Sequence, residues 1–174
     1  MDMEFNVAQL MKERTGETRH HSVHANIENL DAEIVALDEL EGNVRLMRTL
    51  AGVLVTGVLS TAVGLVCGRC LTPITQTLDI ELEDEFRPSI DMTSGASLPM
   101  VDNDEGNRID AHHILDLSEV VRQRILLNQP LTPLCKSDCL GLCANCGQNL
   151  NDGPCNCQEA ITDPRWAVLR ELLH

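Results

Sequence analysis

The sequence predicts an α+β protein: an antiparallel sheet with flanking helices and a cysteine-rich, zinc-binding C-terminal tail. Three observations predict it. Leu78, Ile80 and Leu82 alternate with Asp79, Glu81 and Glu83, the period of two that marks a strand with one buried face. Leu117, Val120, Val121 and Ile125 recur at helical spacing. Six of the eight cysteines crowd into residues 135–157.

The elements follow in order. Asn6 is placed to cap a short helix through about Glu13, with Val7, Leu10 and Met11 on one face and Gly16 ending it. Residues 18–27 have strand character, and residues 34–41 fit either state. Residues 44–66 are expected to form two or three buried strands broken at 57–61. The uncharged stretch 49–68 is long enough to span a membrane as a helix. It is rich in Val, Thr and Gly, and it runs directly into Cys67-Gly-Arg-Cys70 with no interfacial Trp or Tyr. Strands account for it better, and no membrane partner is expected. Residues 87–108 contain prolines, glycines and acids without periodicity, and are expected to form a mobile acidic loop. Asp116 and Glu119 have the spacing of a capping box. The helix they open should run to about Asn128, with Pro130 and Pro133 beyond it. Asp163-Pro164 should start a final helix with Trp166, Leu169 and Leu173 inward. The expected division is an α+β domain over 1–130 and a zinc-binding tail with a C-terminal helix over 131–174.

Composition bounds the function. The chain has 174 residues, 43% of them hydrophobic, with two Phe, one Trp and no Tyr. A net charge of −14 repels phosphate backbones and argues against direct binding of naked RNA. Basic partners, such as ribosomal proteins, suit that charge better. The acidic start, Met1-Asp2-Met3-Glu4, has no apolar run of signal-peptide type, so a cytoplasmic protein is expected.

In a reducing compartment, eight cysteines point to metal. Cys67 and Cys70 stand in C-x2-C spacing, and Cys135 and Cys139 in C-x3-C. Cys143, Cys146, Cys155 and Cys157 follow as C-x2-C-x8-C-x-C. A tight turn carrying two thiolates supplies half of a tetrahedral zinc site. The last four close a short loop, which costs little entropy. That leaves Cys67 and Cys70 with Cys135 and Cys139 for a second site. One or two structural zinc ions are therefore expected. Other pairings remain open from spacing alone. The knuckles Cys67/Cys70 and Cys143/Cys146 could share one ion, disulfides are arithmetically possible, and iron suits four thiolates as well as zinc does. Cys67/Cys70 as a redox dithiol, or within a zinc-dependent enzyme, is the rival functional class; Pro73 and a strand pattern follow it rather than a helix. An all-cysteine site leaves no position for an activated water, so the expectation is no catalytic residue.

Weaker signals remain. His20 and His24 share a strand face and could bind metal, although a solvated face explains them. His112 and His113 are expected to be exposed. The acids 79–85 could dock a basic protein or simply be solvated. Arg45, Arg48, Arg69, Arg122 and Arg124 form the one candidate RNA contact.

With these residues placed, the chain resembles the YceD family of large ribosomal RNA subunit accumulation proteins. The resemblance rests on Cys67-Gly-Arg-Cys70-Leu71, on Ile109-Asp110 and the helix that follows, on PLCKSDCLGLCANCGQNLNDGPCNC over 133–157, and on Asp163-Pro164-Arg165. It implies a non-enzymatic, metal-binding ribosome biogenesis factor acting in the synthesis, processing or accumulation of 23S rRNA. It implies the eight cysteines as ligands and no catalytic residue.

Overall fold

The computed structural model describes residues 3–91, 94–99 and 107–157. These fall into two compact units, one within 3–65 and 74–131 and the other within 66–73 and 132–157.

The first unit is built on strands. They are β1 (Glu4–Asn6), β2 (Thr18–Ala25), β3 (Leu40–Arg48), β4 (Val53–Val66), β5 (Pro73–Pro88), β6 (Arg108–Ile109) and β7 (Ile114–Asp116). They form one sheet in the order β1-β7-β6-β5-β4-β3-β2. The β2/β3, β3/β4, β1/β7 and β6/β7 pairs are antiparallel, whereas β5 and β6 run parallel, with Arg87 opposite Arg108. The sheet is therefore mixed, not antiparallel as expected. The chain leaves β5 by a long excursion and returns to lay β6 along its end.

The sheet is also curled into a half-barrel. Its two edges, β1 and β2, are separated by only eleven residues in the chain. A flat sheet of seven strands would hold its edges roughly 29 Å apart. Here the ring of Phe5 in β1 and that of His21 in β2 have centroids 5.0 Å apart. Inward residues of each strand fill the space enclosed. They include Val23, Leu40, Val44, Leu46, Val55, Leu59, Ile80 and Phe86, all buried. In β5, Leu78, Ile80 and Leu82 are buried while Asp79, Glu81 and Glu83 are exposed, as the alternation predicts.

The expectation of flanking helices is corrected. Among the described residues there is one α-helix, α1 (Ser118–Asn128), so the fold is mostly strand and not α+β. The expected helix from Asn6 to Glu13 is instead the end of β1 followed by a 3-10 turn at Leu10–Lys12. Val7, Leu10 and Met11 are buried as the spacing implies. A segment this short cannot repay helix nucleation, however, and pairing Phe5 with Leu115 in the sheet wins. The second expected helix, from Asp163-Pro164, lies outside the described residues.

α1 ends where the prolines predict, and Leu117, Val120, Val121 and Ile125 are buried. Its capping box does not form. Asp116 Oδ1 accepts from the Ser118 amide at 2.9 Å and from its hydroxyl at 2.6 Å. Glu119 is taken by Arg122 instead, at 2.8 and 2.9 Å. Those bonds hold the Glu119 carboxyl down to about 2.

The expected break at 57–61 is also corrected, because β4 runs through it unbroken. Gly57 lies opposite Val44, and a Cβ there would strike the Asn43 carbonyl oxygen. The glycine permits a close approach between strands rather than ending one. The true turn is 49–52, where the Arg48 guanidinium donates to the carbonyls of Thr49 and Gly52 at 2.6 and 2.8 Å. No helix among the described residues is long and apolar enough to cross a membrane.

Candidate metal centres

The second unit brings the eight cysteines into two groups of four. Cys67 and Cys70 lie in the turn that joins β4 to β5. Their Sγ atoms approach those of Cys139 and Cys135, at 3.9 and 3.5 Å respectively. All four sulfurs lie within 4.8 Å of one another. Cys143, Cys146, Cys155 and Cys157 form the second group within the same limit, with Cys143 and Cys155 3.4 Å apart. A tetrahedron with bonds of about 2.3 Å to sulfur has edges of about 3.8 Å. Either group could thus hold a metal ion with little adjustment.

The two C-x2-C turns are built alike. In the first, the Leu71 amide donates to the Cys67 carbonyl at 3.0 Å; in the second, the Gly147 amide donates to the Cys143 carbonyl at 2.9 Å. Leu71 and Gly147 both adopt left-handed φ, at 59° and 73°. The turns then aim successive amides at the first sulfur. Those of Cys70 and Arg69, joined by that of Cys135, pull the Cys67 thiol down to about 6. Those of Cys146 and Asn145 do the same for Cys143, also to about 6. Thr72 lowers Cys70 as well, through its hydroxyl and its amide.

Once one thiolate is present, its neighbours resist ionising. Cys135 is pushed up to about 12, first by Cys70 and also by Cys139 and Cys67. Cys157 is pushed up to about 12, first by Cys146 and also by Cys143 and Cys155. Four thiolates at such distances would need a cation among them, and such a cation would supply the charge that lets the remaining thiols ionise. The donor set is soft, four-coordinate and closed, which suits zinc and other thiophilic ions.

The groups differ in exposure. In the first, Cys67, Cys70 and Cys139 are buried and Cys135 is exposed; in the second, Cys143 and Cys155 are half-buried and Cys146 and Cys157 exposed. Cys67 itself is 0% exposed.

Residues that spacing did not flag complete the first group. Arg69 Nη1 donates to the Cys139 carbonyl at 2.9 Å, and Asn151 Nδ2 donates to Cys139 Sγ at 3.3 Å. Gly141, at φ 76°, lies against the Arg69 carbonyl, where a Cβ would stand 3.2 Å away. The recurrence of C-x2-C followed by Leu71 or Gly147 was the available signal for the paired turns. Nothing in the spacing marks Asn151.

The weaker candidates are placed as follows. His24 does not meet His20 but sits near Glu39 and Glu41, all three exposed, with Nδ1 3.4 Å from Glu41. His21 lies against Phe5, with the two ring planes tilted. His112 is exposed and His113 half-buried. Each of the five arginines makes at least one bond within the chain, although Arg45 and Arg69 remain exposed. Arg122 binds Asp31 at 2.7 Å as well as Glu119, and Arg124 binds Asp84 at 3.1 Å. Arg48 serves its turn, Arg69 the Cys139 carbonyl, and Arg45 donates to Thr56 at 3.3 Å.

The family described as "Large ribosomal RNA subunit accumulation protein YceD" matches residues 55–173, a range that includes all eight cysteines. An uncharacterized protein of Mycobacterium tuberculosis is 32% identical over 157 residues, covering 88% of this chain and 72% of the relative. A Mycobacterium leprae protein is 31% identical over 121 residues, 70% of this chain and 53% of the relative. An Arabidopsis thaliana protein, named large ribosomal RNA subunit accumulation protein YCED homolog 1, chloroplastic, is 34% identical over 58 residues, 33% of this chain and 18% of its own length. No solved structure matches. The chain belongs to the YceD family of large ribosomal RNA subunit accumulation proteins.

Proposed function

We propose that this chain is a non-enzymatic ribosome biogenesis factor, acting in the synthesis, processing or accumulation of 23S rRNA in the cytoplasm. Each four-cysteine group holds one structural zinc ion. The observation that carries this reading is the pair of closed, all-sulfur groups within the family-matched region. Neither leaves a coordination position for water or substrate.

The partner is a ribosomal or other basic protein, or a pre-ribosomal RNA–protein complex, rather than naked RNA. Two observations support this. The net charge is −14, and each four-thiolate site filled by a divalent ion adds to the negative charge. Of the candidate arginines, Arg122 and Arg124 are held in ion pairs with acids of the chain, and Arg48 is bonded to its own turn.

The test is co-sedimentation of the full chain with precursors of the large subunit. The expected result is the chain in precursor fractions, and its loss from them in a variant with Cys67→Ser and Cys143→Ser. Confinement to the top of the gradient contradicts the reading. So does tight binding of purified chain to protein-free 23S rRNA with a steep salt slope.

A further inference from the structure

Asn151 belongs by sequence to the loop between Cys146 and Cys155, and so to the second centre. Its side chain, however, serves the first. Asn151 Nδ2 donates to Cys139 Sγ at 3.3 Å and to Asn149 Oδ1 at 2.7 Å. Its Oδ1 accepts from the Leu140 amide at 3.0 Å. That last bond fixes the orientation of the amide. A backbone N–H can only donate, so the oxygen must face Leu140 and the nitrogen must face the sulfur.

The loop is tied to both centres. Leu142 pairs with Asn149, and the Leu150 amide donates to the Gly141 carbonyl at 2.9 Å. The Cys143 amide donates to the Gln148 carbonyl at 2.8 Å. An ion held by Cys143, Cys146, Cys155 and Cys157 would pin residues 147–154 at both ends, and so pre-set the position of Asn151. Cys139 is buried, with 3% of its surface exposed, so water cannot easily replace the amide as donor to its sulfur.

We infer that Asn151 is a positioning residue that couples the two metal centres, so that filling the second raises the affinity of the first. This rests on the reading of both cysteine groups as metal sites. The physical cause is direct. An N–H donor withdraws charge from a thiolate crowded among three others, and the second centre determines whether that donor is in place. Coupling of this kind is reciprocal, so filling the first centre must favour the second by the same factor.

The test uses the full chain, stripped of metal under reducing conditions and titrated with cobalt(II). Thiolate-to-cobalt charge transfer reports occupancy, and competition with a chelator gives affinities. Wild type should fill both centres cooperatively. Asn151→Ala should weaken the first centre by roughly 10–100-fold. Asn151→Asp, nearly isosteric, should weaken it at least as much, because a carboxylate would face the sulfur.

Breaking the second centre with Cys143→Ser and Cys155→Ser should lower first-centre affinity in wild type. It should have little effect when Asn151 is already Ala. In cadmium-113 NMR of Asn151→Ala, the resonance of the first centre should shift while that of the second holds.

First-centre affinity within twofold of wild type in both Asn151 variants would overturn the coupling and leave the metal reading standing. So would an unchanged effect of the broken second centre in the Asn151→Ala background. Failure of wild type to develop thiolate-to-cobalt charge transfer would instead overturn the metal reading, and the coupling with it.

Discussion

The ring of Phe5 lies 5.0 Å from that of His21, centroid to centroid, and the two planes are inclined at 55°. One ring belongs to each edge strand of the sheet. Their contact is where the curled sheet comes back on itself, and Phe5 is 9% exposed. Phe5→Ala should cost about 3 kcal/mol by emptying that seam. Phe5→Leu should cost less than half as much. Denaturant unfolding of the two variants, followed by a probe in the first unit, checks the order.

Gly57 gives a second stability test. Its neighbours across the strand pair are the Asn43 carbonyl and Val44, with no room for a Cβ. Gly57→Ala should therefore destabilise the sheet by about 2 kcal/mol, although alanine normally suits a strand interior better than glycine. A stabilised variant in a denaturant titration would show that the strands do not approach as closely as described.

Leu71 occupies in the first turn the place that Gly147 occupies in the second, at φ 59° and 62% exposed. A left-handed leucine costs about 1 kcal/mol, with little burial to offset it. Leu71→Gly should leave metal retention intact or improve it. Leu71→Ile, β-branched in the same conformation, should speed metal release to a chelator. Equal rates for both variants would contradict the strained geometry.

Metal binding should depend on pH with a definite sign. In the metal-free fold Cys67 and Cys143 lie at about 6, while Cys135 and Cys157 lie at about 12. At neutral pH the first two are already mostly thiolate and the last two are thiols. Loading must therefore expel protons from Cys135 and Cys157, and affinity should rise as pH rises. As pH falls through 6, Cys67 and Cys143 also take up protons and the ions should be lost. Chelator competition between pH 5 and pH 8 measures this; a flat affinity would contradict the thiolate assignment.

Much of this was legible in the sequence where the signal was periodic and local. The alternation through Leu78, Ile80 and Leu82, the buried face of α1 and the close spacing of Cys143 to Cys157 all read directly. Three features did not. Gly57 looked like a breaker because glycine has the same sequence signature whether it ends a strand or admits a close neighbour. Asn6 to Met11 had helical spacing, but a 3-10 turn beside a strand buries the same residues. The parallel pairing of β5 with β6, and the bond from Asn151 to Cys139, depend on contacts distant in sequence that no local pattern encodes.

The central claim is that both cysteine groups are metal centres with a structural role. Elemental analysis of the native, purified full chain, combined with thiol titration before and after denaturation, tests it most directly. The account predicts about two zinc ions per chain, slow or absent thiol reaction in the native protein, and eight reactive thiols once it is denatured and chelated. A metal-free native chain with rapidly reacting thiols would contradict it.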